Sequence, residues 1–465
     1  MDFKLYRFVF SISLVAALGG LLFGYDWVVI GGAKFFYERY FEITDNTSLQ
    51  AWAMSSALIG CIPGAMLAGY FSDRFGRKRS LILAALLFTI SALGTGFTND
   101  YSFFMFYRIL GGVGIGLASS VAPIYIAEVA PSQFRGRFVS LNQLTIVVGI
   151  LLAQIINYFI AEPVPVHATE EYILASWNVE MGWRWMFWAE AIPASLFLVL
   201  AFFIPESPRW LMKAGQESRA YGILKKINVE NNVEKVFSEI KSSLSNDIQK
   251  IDFRVLLKRK YRKVLVIGLV LAAFQQWCGI NIVFNYAETI FTQAGFGITS
   301  ALFNIVITGI VNLVFTLVAM KVVDGLGRRK LMLFGSAGLF VTYIFLGLGY
   351  HFEIGGPLVL FIITVAIAIY AVSLAPVTWV LLSEIFPNKI RGAAMAAATT
   401  TLWIASSLLV LLFPIINETF GLSGAFWIYS AICLMGFLFI MSKVFETKGK
   451  SLEELEKAFD LHPEH

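Results

Sequence analysis

Apolar windows of roughly 20 residues recur about twelve times along the chain, each long enough for a helix to cross ~30 Å of hydrocarbon. They lie near 8 to 33, 51 to 72, 80 to 97, 103 to 127, 138 to 161 and 183 to 204, then near 264 to 291, 299 to 323, 331 to 350, 357 to 383, 393 to 416 and 423 to 442. The expected fold class is an all-α polytopic membrane protein with twelve transmembrane helices in two sets of six. Residues 205 to 262 are polar, with amphipathic patterns near 215 to 227 and 233 to 244, and read as short cytoplasmic helices between the sets. The expected domains are 1–204, a linker 205–262, 263–443 and a cytoplasmic tail 444–465.

One stretch breaks the apolar pattern sharply. Val264 to Ala273 suits lipid, yet Gln275, Gln276, Asn281 and Asn285 follow within three turns, ending at Tyr286. At 100° per residue Gln275 and Asn281 project about 120° apart and Gln276 lies nearly opposite Asn281, so a straight helix cannot aim all three at one point. Gly279 between them supplies the expected break. Broken helices at membrane depth line cavities, and transporters hold their solutes there. Gln143 and Gln154 in the fifth window, Asn312 in the eighth, Trp379 after Pro376 in the tenth and Trp403 in the eleventh add polar and aromatic groups. Amides that donate and accept, beside an aromatic face that covers C–H groups, suit a neutral polyhydroxylated solute.

The charges are ordered too. Arg74, Arg77, Lys78 and Arg79, then Arg135 and Arg137, then Arg328, Arg329 and Lys330, then Lys389 and Arg391 fall in alternate short loops, while residues 98 to 102 and 292 to 298 carry no Lys or Arg. The basic side is therefore expected to be cytoplasmic, with both termini inside. Asp73 precedes Gly76 and Arg77 just as Asp324 precedes Gly327 and Arg328, 251 residues later. Glu128 is followed by Arg135-Gly136 as Glu384 is by Arg391-Gly392, and Glu206 with Arg209 closes the first half as Glu446 closes the second. These signatures mark a duplication of six spans. Asp73, Arg77, Glu128, Arg135, Glu206, Arg209, Asp324, Arg328, Glu384, Arg391 and Glu446 are expected to form ion pairs that hold in one conformation and break in another.

Asp26 is an acid inside the first window, roughly 10 Å from its outer end, and Arg108 lies at a matching depth in the fourth. A carboxylate there costs at least ~2.5 kcal/mol and must be paired or neutral. A proton then decides whether the pair exists, which is the physical requirement for coupling. Glu190 and Glu288 fall nearer the ends of their windows and rank below Asp26.

Composition narrows the classes further. At 58% apolar and 14% charged, with mean hydropathy +0.73, the chain is an integral membrane protein, and its net charge of +5 has a topological meaning and not a nucleic-acid one. No removable leader is read before the first window. Cys61, Cys278 and Cys433 stand alone, so neither disulfide nor metal is expected. Gly111 to Gly116 resembles a phosphate loop but sits inside a window, where close helix packing explains it. The linker has no catalytic constellation, and His167, His351, His462 and His465 all lie outside the windows, so no enzyme is expected.

Taken in order, Asp73-Arg74-Phe75-Gly76-Arg77-Lys78, Pro205-Glu206-Ser207-Pro208-Arg209, Gln275-Gln276 with Gly279-Ile280-Asn281, and Asp324 with Gly327-Arg328-Arg329 resemble the sugar porter family of the major facilitator superfamily, above all its bacterial D-xylose/proton symporters. The resemblance implies a sugar site lined by Gln143, Gln275, Gln276, Asn281, Asn312 and Trp379, with Asn285 beside it, Phe23 in contact and Trp403 closing one side. It also implies proton coupling through Asp26 and Arg108, with the proton as coupling ion and no cofactor. Asn285 stands where a second aromatic is usual and Leu402 where an amide is usual; Ala375 and Phe445 also depart from the family pattern. The expected function is import of a pentose or hexose by proton symport, through alternating access, in the inner membrane and as a monomer. A facilitative uniporter, a cyclic polyol symporter and a membrane sugar sensor are the alternatives.

Overall fold

The computed structural model describes residues 3–131, 134–228, 230–246, 256, 258–387 and 390–448. Among these, eleven helical segments are long and apolar enough to cross a membrane. The last, Arg391–Lys443, holds two crossings separated at Gly421 (φ 66°, ψ 176°), so the segments make twelve spans. Spans 1 to 5 are Phe3–Tyr40, Thr47–Phe75, Arg77–Phe97, Tyr101–Val129 and Arg135–Ile160, and span 6 is Trp183–Ala201. Several outrun their apolar windows. Span 1 continues past residue 33 through Lys34 and Glu38 to Tyr40, because both charges find partners inside the protein.

Contacts group the chain into two compact units, and spans 1, 2, 5 and 6 contribute a segment to each. Unit 1 comprises Met1–Trp27, Ile59–Ala153 and Phe187–Lys250. Here glycines set the helix spacing. A Cβ on Gly60, Gly64 or Gly116 would strike the backbone of the facing helix, so spans 2 and 4 touch main chain to main chain. Within the glycine run at 111 to 116, Gly112 and Gly116 face span 2 while Gly111 and Gly114 meet span 3. The linker folds into Pro208–Lys213, Glu217–Ile227 and Glu230–Asn246, whose apolar faces meet around Leu211, Met212 and Ala220.

Unit 2 comprises Val28–Leu58, Gln154–Met186 and Ile251–His465. Span 7 is built in pieces, Arg259–Trp277, Ile280–Asn285 and Ala287–Gln293. Span 8 is Ile298–Leu326 and span 9 is Arg328–His351. Span 10 is Pro357–Val372 and Leu374–Ile385, interrupted at Ser373. The connection after span 5 is ordered by Val164 N donating to Thr299 Oγ1 (2.9 Å) and by Arg39 pairing with Glu170 (2.7 Å). That pair holds the largely exposed Glu170 carboxyl below its ordinary range.

Candidate functional site

In unit 1, Asp26 and Arg108 meet. Both side chains are about 1% exposed, and Arg108 donates from one terminal nitrogen to Asp26 Oδ1 and from the other to the Asp26 carbonyl at 3.0 Å. The guanidinium also lies over the Phe187 ring, 5.4 Å from its centroid. Only glycine fits beside the pair, because a Cβ on Gly111 would stand 2.8 Å from Asp26 Oδ2. That oxygen is buried without a hydrogen-bond partner among the described residues. Glu190, near a window end in the sequence, proves 2% exposed and sits in the field of both Asp26 and Arg108. Phe23 and Gln143 are half-buried in the same unit.

In unit 2 the helix breaks where the amide phases require it. Span 7 stops at Trp277, Gly279 takes a left-handed conformation (φ 89°), and the chain resumes helix at Ile280. A side chain at 279 would suffer both the strain of that φ and a collision with the Tyr429 ring. The break joins three amides in a chain: Asn281 Nδ2 donates to Gln276 Oε1, and Gln276 Nε2 donates to Gln275 Oε1. Gln275 Nε2 then donates to the Tyr370 hydroxyl at 2.6 Å, and Asn285 Nδ2 caps the Asn281 carbonyl at 2.8 Å. All four are at most 7% exposed. Such a row alternates donors and acceptors, as a run of sugar hydroxyls does. Tyr370 was not foreseen, since a tyrosine in an apolar window carries no signal of its own. Gln154, Asn312 and Trp403 are buried and Trp379 half-buried, and among the described residues no hydrogen bond ties them to this chain.

The repeated charges assemble into two networks of one design. In unit 1 the Arg77 guanidinium grips Glu128 through two bonds (3.0 and 3.1 Å) and touches Asp73 (3.2 Å). Glu206 Oε1 accepts the backbone N–H groups of Arg77, Lys78 and Ser207 at 2.8 to 3.1 Å, so the acid caps the first turn of span 3. In unit 2 Arg328 pairs with Glu384 (3.1 Å), and Glu446 accepts the N–H groups of Arg328 (2.9 Å) and Arg329 (3.2 Å) at the start of span 9. Gly76 (φ 96°) and Gly327 (φ 92°) open both turns, and a Cβ on either would enter the capping carboxylate. Arg209 donates to Ser243 in the linker, and Arg391 donates to the Phe386 carbonyl. No bond of Arg135 is found among the described residues, and the Asp324 side chain lies outside them.

Burial pushes the Glu206 carboxyl above its ordinary range, against the pull of its backbone donors and Arg77. Burial is also the largest influence on Glu446, but the N–H groups of Lys448, Arg328, Arg329 and Lys330 together outweigh it and hold that carboxyl below the usual range.

A family model described as sugar (and other) transporter matches residues 12–459. The chain belongs to the sugar transporter family. The D-xylose-proton symporter of Escherichia coli strain K12 is 42% identical to this sugar transporter over 483 residues, 97% of this chain and 96% of that one. The arabinose-proton symporter of Bacillus subtilis strain 168 is 40% identical over 451 residues, 97% and 95% of the two chains. Among solved structures, the inward open conformation of the xylose transporter XylE from E. coli superposes with a TM-score of 0.83 at 40% identity, covering 97% of this chain and 99% of that one. The major facilitator fold, the integral membrane class and a transporter in place of an enzyme all follow.

Proposed function

We propose that this sugar transporter imports a monosaccharide together with a proton by alternating access, working as a monomer in the inner membrane with both termini cytoplasmic. Residues 1–204 and 263–443 act as the two transport halves, joined by the linker 205–262 and followed by the tail 444–465. The observation that carries the reading is the Asp26–Arg108 pair, a membrane-embedded acid with one oxygen unpaired. A proton on Asp26 cancels its charge and loosens Arg108, which changes the relative energies of the two conformations. Gln275, Gln276 and Asn281 take the sugar hydroxyls, with Asn285, Asn312 and Trp379 beside them and Trp403 closing one side; Phe23 and Gln143 are sugar contacts by family resemblance. The similarity to D-xylose and arabinose symporters makes a pentose the first substrate to try, and Asn285 in place of a second aromatic widens the trial to hexoses and cyclic polyols.

The test is uptake of labelled D-xylose, arabinose, glucose and myo-inositol into energised vesicles, with and without a protonophore. Accumulation of one sugar that the protonophore abolishes supports symport and names the substrate. Equilibration insensitive to the protonophore makes the protein a uniporter. Asp26→Asn should retain counterflow and lose accumulation, and unchanged accumulation removes Asp26 from the mechanism.

A further inference from the structure

Span 1 carries a second buried ionic site that neither the amide chain nor the Asp26 pair uses. Gly31, Lys34 and Glu38 fall on one face of the helix, at spacings of three and four. Gly31 lets that face approach span 7 closely, since its Cβ would lie 3.0 Å from the Asn285 carbonyl oxygen. Lys34 Nζ then stands 3.1 Å from Glu38 Oε2, 3.1 Å from Glu288 Oε2 and 3.3 Å from Thr289 Oγ1. The three ionisable residues are 5 to 7% exposed. All of them, with their neighbours named in the next paragraph, belong to unit 2.

The charges do not balance. Two carboxylates share one ammonium, which leaves a net charge of −1 inside the protein when all three are ionised. A further base, Arg39, acts on Glu38 through its charge, and it shares that charge with a second acid. Arg39, the next base on span 1, is engaged with Glu170 through two bonds and with the Phe35 carbonyl. Arg184 lies over the Tyr40 and Trp183 rings. Tyr286 directs its hydroxyl to the Val410 carbonyl. Thr289 donates to Glu288 Oε2 at 2.8 Å. Glu38 Oε1 remains buried with no hydrogen bond among the described residues. A buried carboxylate oxygen with nothing to compensate it is costly, and adding a proton removes the excess charge.

We propose that Lys34, Glu38 and Glu288 form a second proton-binding site, which latches the outer ends of spans 1 and 7 together when occupied. This rests on the symport reading for the direction of the spans and for their alternation. When the outer side opens, Glu288 leaves with span 7, Lys34 and Glu38 stay one helical turn apart on span 1, and water solvates every charge. When it closes, hydronium from the outer solution gives one proton to a carboxylate oxygen, with Glu38 Oε1 as the vacant acceptor, and a water is released. The closed arrangement binds one proton more than the open one, so acid favours closure and rising pH favours opening.

The test uses the full chain in nanodiscs with spin labels at Thr44→Cys and Gln293→Cys, two exposed positions flanking the latch, the native cysteines being buried. Distances are measured from pH 5 to 8 in an Asp26→Asn background, which removes the first proton site. The short-distance population should fall with rising pH, at a limiting slope of about tenfold per unit for one proton. Glu38→Gln should abolish that response, and Glu288→Gln should abolish it independently. A pH response that survives both substitutions, or a background protein with none, overturns the latch. A control with Asp26 intact separates the two readings: if D-xylose and the other trial sugars shift the distances while pH does not, the latch alone fails, and if neither moves them, alternation of this face fails with it.

Discussion

The two loop networks share one motif and differ in the direction in which their surroundings shift a single acid. Both place a glycine at positive φ before a helix, an arginine on a glutamate at the end of a span, and a second glutamate over the first backbone N–H groups of that helix. Even the next base behaves alike, with Lys78 donating to the Phe202 carbonyl and Arg329 to the Met441 carbonyl. What differs is the cover. Glu206 leads directly into the helix Pro208–Lys213, and Trp210 and Lys213 of that helix reach back to Asp73. Glu446 is followed by Thr447 and Lys448, whose backbone groups donate to it at 3.1 Å. One acid is buried faster than it is compensated and the other is compensated more than it is buried. The motif therefore fixes the geometry, and its neighbours set the direction in which the acid is shifted.

The largest expected difference comes from deleting the arginines. Arg77→Ala leaves Glu128, whose side chain is 10% exposed, without its cation and should cost about 3 kcal/mol. Arg328→Ala should cost about 1–2 kcal/mol, because Glu384 is 28% exposed and keeps the Thr447 hydroxyl at 2.5 Å. Denaturation midpoints of the two purified variants test this directly. Equal losses would mean that the networks are energetically the same despite their different cover.

The capping acids should separate by the sign of their pH dependence. A carboxyl raised in the folded state contributes stability that is fully present below its ordinary value and is lost as pH rises through the raised one. Glu206 is that case. A depressed carboxyl contributes above its ordinary value and loses its contribution as pH falls through the lowered one, which is the case of Glu446. Glu206→Gln should therefore improve relative to wild type as pH rises, while Glu446→Gln should worsen. Thermal midpoints from pH 4 to 8 give the two slopes. Slopes of the same sign would remove the distinction between the networks.

Much of this arrangement is legible in the sequence, for reasons that differ from residue to residue. The break at Gly279 follows from amide phases that no straight helix can reconcile, and Arg77 with Glu128 follows from spacings repeated at Arg328 and Glu384. Asp26 and Arg108 pair because two opposite charges at one depth have little alternative. The latch at Lys34 was hidden by the same logic that found the spans. A charged residue at the end of an apolar window reads as an exit into water, and only the fold shows that the helix continues to Tyr40 and meets Glu288. Ser373 gave no warning of the interruption in span 10, and Tyr370 no sign that its hydroxyl would end the amide chain. Packing partners distant in the chain are what composition and spacing cannot supply.

The smallest effect tests whether the cover over the first network acts through its charges or through burial. Lys213 and Asp73 are 53% and 45% exposed, so their 3.0 Å pair is screened and Lys213→Ala should cost no more than about 0.5 kcal/mol. Lys448→Ala removes another exposed donor, from the Gly325 carbonyl, and should cost as little. Trp210 is a different kind of contact, since its indole N–H holds the Asp73 carbonyl at 2.8 Å while its ring packs on the linker cluster. If burial is what raises Glu206, Trp210→Ala should flatten the pH difference between Glu206→Gln and its parent, and Lys213→Ala should leave it unchanged. The reverse result would place the control of Glu206 in the surface charges, and the two networks would then differ by electrostatics that salt can erase.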